Sequence, residues 1–213
     1  MDYQSAEIVG GGMANKTILS LFDYSGNWPH AYRDAGYEVY QVDIKHEINI
    51  LELMTDQLPF DQVYGILAAP PCTDFASSGA QYWPAKDQDG RTAHSLALVD
   101  KVLEFVDYYT PHFWVLENPV GRLSKLRPKL GKPWYFNPHE FAGWCDTAEQ
   151  QQHERYTKKT GLWGRFNPPE KRDLLNNPEN NWMMRLGGKS ERTKELRSMT
   201  PTGFARAFYE ANK

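Results

Sequence analysis

The chain has 213 residues, 40% of them hydrophobic and 24% charged, with a formal net charge of −3. That size suits one α/β domain with a sizeable core. No run approaches the ~20 apolar residues that span a bilayer, and residues 1–16 carry acids and no apolar h-region, so neither a membrane segment nor a secretory leader is expected. Only Cys72 and Cys145 occur, which argues against a disulfide framework and suits a reducing cytoplasm. The net charge hides an asymmetry: residues 1–117 carry −11 and residues 118–213 carry +8. Residues 122–132 hold five cations and no acid, which points the second part toward a polyanion.

In chain order, residues 10–12 are a glycine lead-in and residues 17–22 read as a first strand. Residues 23–27 form a turn, a helix runs over 28–35, and Gly36 ends it. A second strand covers 37–43 and closes on Asp43. A short third strand is expected at 48–51 and a fourth at 63–69. Residues 77–91 read as a polar loop. A helix over 92–109 follows from Leu96, Val99, Val102, Leu103 and Val106 on one face. A fifth strand covers 112–117. Strands alternating with helices predict a parallel sheet with crossover helices. Beyond Asn118 the pattern loosens, with strands expected at 134–136 and 156–163, a polar break at 149–153, loop over 166–182 and a terminal helix at 202–212.

Several apparent motifs do not survive. Residues 10–17 nearly spell a phosphate-binding loop, but Asn15 stands where its second glycine belongs and the segment precedes a strand. The six histidines show no metal-ligand spacing, so no metal site is expected. Three features instead meet at strand ends. The first is the turn over 22–26 with Asp43 on the neighbouring strand, where a glycine admits a cofactor to the backbone and an acid can accept from ribose hydroxyls. The second is Cys72, held on a stiff loop by Pro70-Pro71. The third is Glu117-Asn118-Pro119, where the proline keeps Asn118 extended.

Ser20-Leu21-Phe22 with Gly26, then Pro71-Cys72, then Glu117-Asn118, in that order, resemble the motifs of the cytosine-C5 DNA methyltransferases. Residues 158–163 and Thr200-Pro201 with its helix look similar to short phage-type members. The resemblance implies a Rossmann-like, S-adenosylmethionine-dependent methyltransferase fold: α/β, a mostly parallel sheet with flanking helices, and a small irregular C-terminal extension. It divides the single 1–213 domain into a core (17–117), a basic DNA-facing region with reduced target recognition (118–197) and a helix packing back on the core (198–213). It places the protein in the cytoplasm of a bacterium or phage-infected host, where it would shield DNA from restriction.

The same resemblance assigns roles. Cys72 attacks C6 of a flipped cytosine, Glu117 serves the ring at N3, Asn118 beside it belongs to the catalytic set, and Lys159 reaches O2. Phe22, Asp23, Ser25, Gly26, Asp43, Ile44, Asn49, Ile50 and Pro70 line the S-adenosylmethionine site. Lys158, Arg165, Arg122 and Lys125 contact DNA. The chain departs from the family pattern in its single turn glycine, in Thr73 and Pro119, and in lysines where the family has arginines. Only residues 161–197 are left for target recognition, so phosphate contacts with short or relaxed sequence reading are expected. Two other readings share these features: an inactive methyltransferase fold that binds DNA, and the same chemistry on RNA or nucleotides.

Overall fold

The computed structural model describes residues 16–173, 182–186 and 190–213. Six strands are present among these: β1 (Thr17–Leu21), β2 (Glu38–Val42), β3 (Gly65–Ala68), β4 (Phe113–Pro119), β5 (Trp134–Phe136) and β6 (Thr160–Arg165). They form one sheet in the order β2-β1-β3-β4-β6-β5. The first four run parallel; β6 is antiparallel to β4, and β5 is antiparallel to β6. The helices are α1 (His30–Asp34), α2 (Trp83–Gln88), α3 (Arg91–Tyr109), α4 (Leu123–Leu126), α5 (Ala148–Glu154), α6 (Trp182–Arg185), α7 (Glu191–Ser198) and α8 (Thr202–Asn212). No helix of the described residues is long and apolar enough to cross a membrane.

Strand alternation sorts the apolar side chains onto two faces. On one, Leu19, Leu21, Ile66, Ala68, Leu116 and Trp163 meet Val99, Val102 and Phe105 of α3. On the other, Ile18, Leu67, Phe113, Val115 and Leu162 meet Trp28, Tyr32 and, from α8, Phe204 and Phe208. The central parallel strands β1 and β3 are buried along their whole length; β3 reads as an unbroken apolar run, and β1 is apolar apart from the buried Thr17 and Ser20. Helix α3 is the β3-to-β4 crossover; its buried Thr92, Ser95, Val99, Val102, Phe105 and Tyr109 repeat at the helical period.

Four expected segments differ. The strand expected at 156–163 begins only at Thr160 and runs on to Arg165. Residues 48–51 form no strand: single 3₁₀ turns at Ile44–His46 and Thr55–Gln57 replace it, and Ile50 drops into the core. Residues 77–91 are not a loop but a 3₁₀ turn (Ser77–Tyr82) leading into α2. Residues 149–153 are not a break but lie in α5, started by a capping box between Thr147 and Gln150. The 10–12 lead-in and residues 174–181 of the expected loop lie outside the described residues.

Candidate active site

Cys72 lies just past the carboxyl end of β3, and Glu117-Asn118 lie at the end of β4 beside it, where Ala68 pairs with Leu116. The two chains are pinned together above that pair: the Asn118 Nδ2 donates to the Pro70 carbonyl at 3.0 Å. Asn118 is fully buried, and its Oδ1 has no hydrogen-bond partner among the described residues. The loop then folds tightly, with the Phe75 and Ala76 amides donating to the Cys72 carbonyl at 3.0 and 2.9 Å.

A buried polar network braces this loop from below. The Asp74 carboxylate accepts from Ser95 Oγ of α3 and pairs with Lys86 Nζ of α2 at 3.0 Å. Burial would push that carboxyl up, but the Ser95 and Lys86 bonds outweigh it and hold Asp74 below the usual carboxylate range. Arg122 reaches the same loop, donating from Nε to the Asp74 carbonyl at 3.0 Å. Its fork grips both Asp87 oxygens at 2.7 and 2.8 Å and also meets Thr92 Oγ1, while the guanidinium sits 4.7 Å over Trp83. The Arg122 fork is the main reason that the Asp87 carboxyl is lowered to about 2. Gly121 completes the brace: a Cβ there would lie 1.9 Å from the Phe75 carbonyl oxygen, so only glycine lets the two backbones approach.

Glu117 faces the α8 side of the sheet, into a hollow that it shares with Phe136, Lys158, Thr160, Thr200, Pro201 and Phe204. Burial lifts its carboxyl above the usual range, and the Lys158 ammonium opposes the rise. Burial also raises the Cys72 thiol; Lys158 pulls it back down, and the Glu117 and Asp74 charges add to the rise. Cys72, Glu117 and Lys158 are therefore one electrostatic cluster. Tyr156 is buried beside it, raised by its own burial, then by Glu154 and Glu117.

Strand parity decides which lysine joins. Glu117 pairs with Leu162 and Pro119 with Thr160, so even-numbered β6 positions share the Glu117 face. Lys158 follows that parity into the hollow. Lys159, expected at the base, points to the opposite face, where its Nζ lies 4.9 Å over the exposed Tyr135 ring. Two other expected contacts also fall away. Arg122 spends its guanidinium on the brace. Arg165 lies at the far end of β6, opposite Trp114, and donates to the Pro111 carbonyl. Lys125 is exposed on α4 and takes no part in the cluster.

The candidate cofactor edge lies across β1 and β2. Phe22 leaves β1 in the left-handed region at φ 62°, its amide bonded to the Val42 carbonyl at 2.8 Å. Asp23 does not face outward as expected. Its carboxylate is buried and holds the turn, accepting from Ser25 Oγ at 2.7 Å, the Gly26 amide at 2.9 Å and the Trp28 amide at 3.3 Å. Gly26, at φ 68°, supplies the left-handed conformation that lets the chain turn into α1. Asp43 accepts from the Lys45 amide through Oδ1, and beside it Ile44 is 68% exposed. Asn49 is used locally, accepting from the Leu51 amide and donating to Glu52. Ile50 is a core residue, so its side chain cannot meet a ligand edge.

The C-terminal segment covers the cluster. The group that fastens α8 was not legible in the sequence: Glu154, at the end of α5, is 5% exposed and accepts from the Thr202 and Gly203 amides at the N-terminus of α8. Cys145 donates to the same carboxylate at 3.2 Å. The preceding α7 is tied across the cofactor edge by Lys45–Glu195 at 2.7 Å, by Asn27 to the Thr200 carbonyl at 3.4 Å, and by Lys158 to the Arg197 carbonyl at 2.8 Å.

No family model matches the chain. Over 126 residues it is 28% identical to the Type II methyltransferase M.DdeI of Desulfomicrobium norvegicum, a match that covers 50% of this chain and 28% of that enzyme. Two solved structures are similar to it: a protein encoded within an E. coli prophage and described as a DNA modification methyltransferase (TM-score 0.39, 17% identity, 70% of this chain and 46% of that one), and the Entamoeba histolytica methyltransferase EhMeth (TM-score 0.43, 10% identity, 85% and 62%). The chain thus shows sequence similarity to a Type II methyltransferase while matching under a third of its length.

Proposed function

We propose that this protein transfers a methyl group from S-adenosylmethionine to C5 of cytosine in DNA, through a covalent Cys72 adduct at C6. The observation that carries the reading is the cluster of Cys72, Glu117 and Lys158 at the carboxyl ends of adjacent strands, a thiol and a carboxyl both raised by burial and sharing one cation. The partial match to a Type II methyltransferase supports it.

The cofactor edge fits the donor. The exposed Ile44 offers an apolar surface for a base, Asp43 stands beside it for a ribose, and the Phe22–Gly26 turn lies at the end of the neighbouring β1. S-adenosylmethionine bound there supplies the electrophilic methyl group. The chain's own residues do the rest. The Cys72 thiolate forms a bond to C6, and the C5=C6 pair shifts toward C4 and N3. Glu117, whose burial favours the protonated form over the anion, donates to N3 in that form and absorbs the developing charge. Lys158 stabilises the thiolate before attack. Once C5 has taken the methyl and S-adenosylhomocysteine is left, a base (solvent water or hydroxide) takes the C5 proton, the C6–S bond breaks to release the Cys72 thiolate, and N3 returns its proton to Glu117, which restores the ring. Inside a duplex this needs the cytosine out of the stack.

Tritiated methyl transfer from S-adenosylmethionine to cytosine-containing DNA tests the proposal. Transfer by the unaltered protein, lost to background in Cys72→Ser, is expected. No transfer to any DNA at saturating cofactor would refute it and favour a DNA-binding fold without activity, a reading that draws on the inward-turned Asp23.

A further inference from the structure

The sheet face opposite the hollow carries a second arrangement. Tyr135 is the middle residue of the edge strand β5 and is 40% exposed. It pairs with Gly161, which in turn pairs with Asn118, so it stands level with the end of β4. Its ring packs against Gly161, where an added Cβ would lie 3.2 Å from Tyr135 Cε1. Lys159 Nζ lies 4.9 Å over the ring. The segment from α4 to Pro133 is fastened to this same face: Trp163 Nε1 donates to Ser124 Oγ at 3.0 Å and to the Gly131 carbonyl at 3.3 Å. That segment exposes Lys125, Lys129 and Lys132.

Charge separates these lysines from their neighbours. Arg122 and Arg127 are neutralised by Asp87 and Asp100, and Lys171 by Glu140. Lys125, Lys129 and Lys132 have no ion pair or side-chain hydrogen bond among the described residues. An exposed ring flanked by unneutralised lysines matches the chemistry of an unpaired polynucleotide, whose bases stack and whose phosphates carry the charge. A duplex keeps its base faces covered and could use only the lysines.

Building on the reading that the substrate is nucleic acid, we propose that this face holds an unpaired strand next to the reacting cytosine, with one base stacked on Tyr135 and phosphates on Lys125, Lys129, Lys132 and Lys159. Three inter-strand steps of about 4.8 Å separate β3, past whose end Cys72 lies, from β5, about 14 Å within the plane of the sheet. Tyr135 also stands on the face opposite Glu117, so at ~3.4 Å per stacked nucleotide the stacked base lies about four or more stacked nucleotides from the target. A base arriving on the ring displaces the Lys159 ammonium toward the adjoining phosphate.

Fluorescence anisotropy with the full chain, using a labelled single-stranded cytosine-containing oligonucleotide and the matching duplex, tests this. Tyr135→Ala is expected to weaken single-strand binding roughly tenfold and duplex binding by less than about twofold. Tyr135→Phe keeps the ring and should bind as the parent does, which controls for folding. Lys125→Ala, Lys129→Ala and Lys132→Ala should each lower the salt slope on the single strand by ~0.7. Equal affinity of parent and Tyr135→Ala for the single strand overturns the inference, as does an equal loss on the duplex. A parent that methylates DNA and yet is unaffected by Tyr135→Ala overturns this inference alone. A parent that binds neither nucleic acid overturns it together with the proposed function.

Discussion

The two halves of the candidate site are built in opposite ways. The Cys72 loop is braced from beneath by side chains that are almost fully buried: Asp74, Arg122 and Lys86 are each 8–9% exposed. The cofactor edge is open, with Ile44 68% and Tyr24 50% exposed, and its crossing strap α7 is held by a half-exposed ion pair and two bonds to carbonyls. A nucleophile of the proposed kind needs a fixed aim, because a small displacement of a reacting atom forfeits much of the rate. A cofactor that exchanges at every turnover needs a rim that lets go. Of the departures from the pattern that the sequence resembles, the single turn glycine falls on the open half, and Thr73 and Pro119 fall on the braced half.

If that contrast holds, substitutions in the braced half should strike turnover, and those on the rim should strike cofactor affinity. The largest expected effect is at Glu117. Glu117→Gln removes the proton donor and should lower kcat by about 10²–10⁴-fold. It should also change the pH profile. With both pKa values raised, the reactive pair of thiolate and carboxylic acid has the same population dependence as carboxylate and thiol. The parent profile of kcat/KM therefore rises through the Glu117 pKa and falls through that of Cys72, whereas the residual activity of Glu117→Gln should only rise with pH.

The same substitution carries a stability sign. A folded pKa above the unfolded one means that the folded state binds the proton more tightly, so the fold is most favoured below the unfolded carboxylate range and loses stability as pH rises through the folded pKa. Glutamine carries no such penalty. Thermal melts at neutral pH should show Glu117→Gln at a higher Tm than the parent, with the gap closing in acid.

Next in size is Gly121→Ala. The backbone clash with Phe75 should cost about 1–3 kcal/mol and depress kcat more than KM, read by thermal denaturation and steady-state kinetics. Asn118→Ala removes the bond to Pro70 and should cost about 1–3 kcal/mol with a similar loss in kcat. The smallest effects belong to the rim. Ile44→Ser and Asp43→Ala should each weaken S-adenosylhomocysteine binding several-fold by calorimetry while leaving the melting temperature near that of the parent. A rim substitution that abolished folding, or a brace substitution felt only in cofactor affinity, would break the contrast.

Much of the parallel core was legible because burial on both faces writes an apolar run directly into the sequence, as in β3, and because α3 repeats its apolar side chains at the helical period. The approach of Cys72 and Glu117 was legible because prolines mark both strand ends. The braces were not. Arg122 reads as a surface cation until Asp87, in a segment that reads as loop, is folded beneath it in α2. Lys158 and Lys159 are indistinguishable by type, and only the register of β6 against β4 sorts them onto opposite faces. Glu154, just past the expected polar break, draws no notice in the sequence, since a carboxylate that caps a helix about fifty residues away leaves no local signature. Asp23 could have been read better: Asp-x-Ser-Gly is an ordinary side-chain-to-backbone turn, and its carboxylate serves that turn.

The central claim, that Cys72 bonds to the cytosine ring, is tested most directly by trapping. The protein is incubated with S-adenosylmethionine and DNA carrying 5-fluorocytosine, which blocks loss of the C5 substituent and so retains the adduct. A covalent complex resistant to denaturation, mapped by mass spectrometry to the peptide containing Cys72 and absent in Cys72→Ser, is the expected result. An adduct at Cys145, or methylated DNA accumulating with Cys72→Ser, would contradict it.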